Sequence, residues 1–149
     1  MKAAYGALIG YASNTTMGAA DLVIRTVVVG LAPADVADVP GIKILRDLGS
    51  GRTLILTPRY QTYTDLLVAL ARRGRDVVEI AGNQQILVTI LAPRGPLPPF
   101  TGASPLFELP IWSQADRRRV GLDVAVERLA STIRALEVAG VTIEHVYDY

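Results

Sequence analysis

Two arginine clusters carry the clearest chemistry in this chain: Arg72, Arg73 and Arg75, and the triplet Arg117, Arg118 and Arg119. Guanidinium forks grip carboxylates and phosphates two hydrogen bonds at a time. Between the clusters, residues 93–112 (PRGPLPPFTGASPLFELPIW) hold six of the nine prolines, both phenylalanines, Phe100 and Phe107, and the only tryptophan, Trp112. Proline fixes φ and removes a donor, so this stretch does not read as a helix or central strand, and it is too apolar for a disordered linker. It reads as a long ordered arm, the kind of segment that serves as a lid, a binding loop or a clasp. Arg72, Arg75, Phe100, Phe107, Trp112, Arg117 and Arg118 therefore form a candidate site for a small anionic or amphipathic ligand. The plain alternative is a solvated charge run paired with Asp116, Asp123 and Glu127.

The single histidine, His145, is the one side chain that titrates near neutrality without perturbation. Strand alternation through the closing run VTIEHVYDY puts Ile143, His145 and Tyr147 on one face, where His145 and Tyr147 are candidates for acid–base work. No nucleophile or orienting carboxylate can be assigned to them. Asp123 and Glu127, four apart, are ordinary helix-surface neighbours. Gly49-Ser50-Gly51 precedes Arg52-Thr53 without the lysine of a phosphate loop, and reads as a hairpin turn.

Composition narrows the classes further. The chain has no cysteine, which excludes thiolate nucleophiles, thiolate metal sites and disulfides, and one histidine without paired-His spacing gives no reason to expect a metal or cofactor. The net charge of +1 offers no bulk field for nucleic acid or an anionic membrane. No apolar run reaches the ~18 residues of a membrane span, and the apolar stretch 3–12 makes a poor leader, so a cytoplasmic protein is expected.

The positioning elements follow from periodicity. Residues 22–31, 42–48, 52–57, 76–81, 84–92 and 141–149 read as strands, the fourth and fifth joined at Gly82-Asn83. One helix is capped by Thr62 with Asp65 and stopped at Gly74; a second runs from Ser113 with Asp116 to Gly140, its stripe Leu122, Val126, Leu129, Ile133 and Leu136 broken at Gly121. Residues 52–149 thus follow the order strand, helix, strand, strand, helix, strand. That order resembles the ferredoxin-like βαββαβ plait, an α+β fold, with residues 1–51 as an N-terminal extension of about two more strands in one domain. RNA-binding plaits stack bases on aromatics of the central strands, and 52–57 and 84–92 have none, so no nucleic acid is expected. The strand 84–92 is apolar on both sides, so something must cover the face the helices leave open. A second copy is one candidate, which makes a homodimer the expected assembly. Three readings follow: a homodimeric small-ligand-binding or regulatory module; a small cofactor-independent enzyme of the dimeric α/β-barrel type using His145 and Tyr147; or a structural assembly subunit.

Overall fold

Val23–Val29 is β-branched at every position but Arg25, and it forms β1, the hub of the first half of the molecule. The computed structural model describes residues 23–97, 99 and 102–147. The leader-like stretch 3–12, Phe100 and the last residues of the closing run lie outside the described residues. After β1 come a 3-10 turn at Pro33–Asp35, β2 (Lys43–Gly49), β3 (Arg52–Pro58), α1 (Tyr60–Arg72) and β4 (Asp76–Ile80). The second half supplies β5 (Gln85–Pro93), β6 (Ala103–Pro110), β7 (Arg117–Ala125), a 3-10 turn at Val126–Arg128, α2 (Leu129–Val138) and β8 (Thr142–Val146).

The fold is mixed α+β with two antiparallel four-stranded sheets, ordered β2-β3-β1-β4 and β6-β7-β5-β8. Residues 52–149 do not make one four-stranded sheet. Four local expectations change as well. The residues after Ser113 form no helix, because Val120, Leu122 and Val124 alternate into the core of β7, and the helix begins only at Leu129. The proline-rich arm contains β6, whose Pro105 and Pro110 are tolerated because β6 is an edge strand. Ala81 and Gly82, both at positive φ (50° and 83°), make a tight turn closed by hydrogen bonds between Ile80 and Asn83, yet β4 and β5 then part into different sheets. Helix α1 starts at Tyr60 with no side-chain cap, so Thr62 is an interior residue.

The two halves are one structural unit laid down twice. Each reads strand, strand, strand, helix, strand, with the same sheet order and two shared irregularities. In the first, Val28 pairs with Val77 and the register slips after Val27; in the second, Ile90 pairs with Ile143 and the register slips after Thr89. Leu45 bulges out of the β2–β3 ladder between Ile44 and Arg46, and Leu106 bulges out of β6–β7 between Pro105 and Phe107. Both helices end on a glycine, with the Arg75 N–H donating to Leu70 and the Val141 N–H to Leu136. The repeats differ in their links: a 3-10 turn lies between β1 and β2 in the first and between β7 and α2 in the second, and the hairpins differ in length. β2 and β3 are joined by Ser50 and Gly51 alone, whereas β6 and β7 are joined by residues 111–116.

Each helix lies on the last strand of the other repeat, α1 on β8 and α2 on β4, and the helices also pack on each other. The main core joins both halves: Ile24, Tyr63, Leu67 and Ile80 pack with Ile86, Ile90, Leu122, Leu129, Ile133 and Leu136. Burying side chains of this size contributes roughly 1.5–3 kcal/mol each. A smaller cluster of Val28, Ile55, Leu66 and Leu70 fills the first repeat. Polar cross-links fix the register between halves. The Val146 N–H donates to Thr64 Oγ1 at 3.0 Å, and Arg134 donates to the Ala71 carbonyl at 2.8 Å. The first repeat thus packs on the helix side of the second sheet, the opposite side from the face for which the sequence calls for a cover.

Candidate functional site

Lengthening the β6–β7 hairpin has a chemical consequence. Arg117 and Arg118 stand at its return, opposite Pro93 and Ala92, so the start of β7 meets the end of β5, where Arg94 follows. Arg94 is locked to the hairpin by its Nε–H to the Ala115 carbonyl at 2.6 Å. Together Arg94, Arg117 and Arg118 line a cleft of about 310 Å3 with Gly95, Glu108, Leu109 and Pro110. That lining holds three guanidinium groups against one carboxylate. Arg118, only 17% exposed at its side chain, pairs with Glu108 at 2.5 Å, and Arg117 reaches the Leu91 carbonyl at 3.3 Å and Thr142 Oγ1 at 3.5 Å. The volume falls at the lower end of small-ligand sites, which run ~300–1,000 Å3.

Two aromatics of the candidate ligand set, Phe107 and Trp112, sit on the same hairpin. Trp112, 92% exposed, stands just past β6, and Phe107 lies against Gly121 of β7. The first arginine cluster goes elsewhere. Arg72 is engaged by Glu137 of α2 through Nε–H to Oε1 at 3.1 Å and Nη2–H to Oε2 at 2.6 Å. Arg75 donates to Asp35 at 2.7 Å, joined there by Arg73 at 3.4 Å and the Ala32 N–H at 2.8 Å. The Arg75 hydrogen bond above all, with the Ala32 N–H behind it, holds the buried Asp35 carboxyl below its ordinary range. Arg119 is bidentate to Glu144, at 2.7 and 2.6 Å, and lowers that carboxyl in the same way against the opposing effect of burial. Arg94 was the site residue that sequence reasoning missed. Its signal was position, between Pro93 and Gly95 at the mouth of the arm, but reading 117–125 as helix hid that β5 and β7 are neighbours.

His145 and Tyr147 meet, with ring centroids 4.4 Å apart at a near-perpendicular 78°. Ile143 is not on their face. The slip at Glu144 pairs Ile143 and Val146 with Ile90 and Val88 on the helix side, leaving His145 opposite Thr89 on the other. His145 and Tyr147 line a cavity of about 150 Å3 with Arg59, Tyr60, Tyr63, Ile24 and Val146. The lining contains no carboxylate, serine or threonine to complete a nucleophile or an orienting partner for the imidazole. Among the described residues, no group of three or more His, Cys, Asp or Glu could hold a metal ion, and no helix is long and apolar enough to cross a membrane. No family model, curated protein or solved structure matches this chain.

Proposed function

We propose that this chain is a small-ligand-binding module whose ligand is a small anion, a carboxylate or a phosphate, held in the cleft beside the β6–β7 hairpin. The observation that carries the reading is the difference between the repeats. Two units that agree in strand order, in one bulge of each outer ladder and in their helix C-caps differ in this hairpin link, and the longer one brings three guanidinium groups to one cleft. The corresponding place in the first repeat is a glycine-rich turn, Gly49-Ser50-Gly51, so the fold itself does not call for arginines there. Excess positive charge in a concave site, flanked by an exposed tryptophan, suits an anion with or without an apolar portion. Trp112, the sole tryptophan, makes the test direct. Its fluorescence should change saturably on titration with inorganic phosphate or succinate, and the change should vanish in an Arg117→Gln/Arg118→Gln variant. Titration with neither anion altering the fluorescence or the stability of the protein would end this reading.

A second reading is favoured by the apolar surface of the same hairpin. Leu106 (59% exposed), Leu109 (48%) and Trp112 lie together on or beside β6. Exposed apolar patches of this kind mark partner surfaces, and a second copy of the chain would make the module a homodimer. Sedimentation across a dilution series separates the two: a concentration-dependent dimer abolished by Trp112→Ser and Leu109→Ser supports it, and a monomer throughout refutes it.

A further inference from the structure

We propose that the cleft where the first repeat meets β5 and β7 of the second binds a free aliphatic α-amino acid, its carboxylate on Arg52 and its ammonium on Glu79 and Glu127. This site shares no residue with the arginine cleft of the β6–β7 hairpin and does not depend on it.

The internal repeat supplies the control that a single fold lacks. Arg119 lies opposite Leu91 on β5, and its guanidinium is bidentate to Glu144, the residue that bulges from the β5–β8 ladder between Ile143 and His145. Arg52 occupies the same place in the first repeat, opposite Val29 on β1, and the residue that bulges from the β1–β4 ladder, between Val77 and Glu79, is Val78. The arginine is therefore kept in both copies, while the carboxylate that engages it is kept in one. Among the described residues Arg52 makes no ion pair and no side-chain hydrogen bond, and Arg52 and Val78 both line the cleft. The second repeat shows what a guanidinium at this point takes, two carboxylate oxygens at 2.7 and 2.6 Å. A ligand carboxylate supplies in the first repeat what Glu144 supplies in the second.

The rest of the lining suits the other end of such a molecule. Glu79 pairs with Val27 in the β1–β4 ladder, and Glu127 sits in the 3-10 turn after β7. Neither carboxylate has an ionic or side-chain hydrogen-bonding partner among the described residues. β1 stands between β3 and β4, so Arg52 and Glu79 are held at least two strand spacings, about 10 Å, apart at the backbone. They form no ion pair with each other, and a molecule carrying one charge of each sign bridges them. A simple anion attracted by Arg52 is repelled by the two carboxylates, and a simple cation meets the reverse. The uncharged part of the lining is aliphatic, with Val27, Leu48, Val78 and Ala125 and no aromatic ring, which suits a branched hydrocarbon side chain. The volume of about 510 Å3 lies within the ~300–1,000 Å3 of small-ligand sites.

The test is an NMR titration of the intact chain with leucine, following the Arg52 Nε–Hε signal and the backbone amides of Val78, Glu79 and Gln85. Leucine should shift these signals saturably, while 4-methylpentanoate, which lacks the ammonium, and 3-methylbutylamine, which lacks the carboxylate, should bind at least about tenfold more weakly. Val78→Glu installs the carboxylate of the matching position, where the second repeat shows that this bulge accommodates it. The new side chain should pair with Arg52 and weaken leucine at least about tenfold. Arg52→Gln should weaken leucine to the same extent, and Glu79→Gln/Glu127→Gln should weaken leucine while leaving 4-methylpentanoate no weaker. The proposal is overturned if leucine gives no saturable shift, if either singly charged analogue matches it, or if a folded Val78→Glu or Arg52→Gln protein binds leucine as the parent does.

Discussion

The ring of Phe107 on β6 lies directly over the α-carbon of Gly121 on β7, so closely that a β-carbon on Gly121 would overlap three of its ring atoms. The two residues face each other across the ladder next to the bulge at Leu106. Glycine leaves a hole in the sheet and an aromatic neighbour fills it, which ties the edge strand to the central one. The hairpin that bears the arginine cleft is anchored at this point.

Replacing Gly121 by alanine should therefore destabilise the protein by about 1–3 kcal/mol, the usual cost of overpacking a filled site. Gly121→Ala/Phe107→Ala should be less destabilised than the sum of the single changes, because the first removes space that the second restores. Urea unfolding of the four proteins measures both quantities.

Ala81 stands at φ 50° in the turn between the repeats, beside Gly82. Glycine adopts that conformation without steric cost, so Ala81→Gly should raise stability by roughly 0.5–1 kcal/mol despite the added freedom of the unfolded chain. A rise in the denaturation midpoint at unchanged slope is the expected readout.

Asp35 and Glu144 are both carboxyls whose folded values lie below their ordinary ones, each because an arginine hydrogen-bonds the charged form. A depressed carboxyl stabilises the folded state above its unfolded value and loses that contribution as pH falls through its folded value. Stability should thus be flat above about pH 5 and fall on acidification below about pH 4. Asp35→Asn should reduce the slope of that fall in urea midpoints measured against pH; an unchanged slope would show that the Arg75–Asp35 pair makes no contribution.

Arg118→Gln removes a guanidinium that is largely buried in the cleft, whereas its partner Glu108, on the same cleft, is exposed. The fold should lose little, on the order of 1 kcal/mol or less, since an exposed partner limits the worth of the pair. Anion affinity should fall about tenfold, the scale of one charge-assisted hydrogen bond. Calorimetric titration with phosphate and a thermal melt of the same sample give the two values separately.

Much of this architecture was legible in residue types. Val23–Val29, the glycine stops at Gly74 and Gly140, and the strand Gln85–Pro93 each follow from local chemistry that the tertiary structure keeps. The stretch 117–125 misled because Leu122, Val126 and Leu129 are spaced like a helix stripe while Val120, Leu122 and Val124 alternate like a strand, and only pairing with β5 decides between them. The bulge at Glu144 undid the alternation that put Ile143 beside His145, and bulges leave no mark in a periodicity. The repeat was hidden for a related reason. Matching positions such as Thr57 and Val124, or Tyr63 and Leu129, share burial and register but not residue type. Of the candidate site, Phe107 and Trp112 were readable as members of one arm and Arg117 and Arg118 as a cluster beside it, but Arg94 became visible only once β5 and β7 were neighbours.

The central claim, that the longer hairpin carries an anion site, is tested most directly by following the arginine Nε–Hε signals in an NMR titration with inorganic phosphate. Saturable shifts at Arg94, Arg117 and Arg118 and at the Gly95 amide, with Arg72 and Arg75 unmoved in their own ion pairs, are the predicted result. Absence of shifts at those three arginines, or equal shifts across all exposed arginines that fade with added salt, would contradict it.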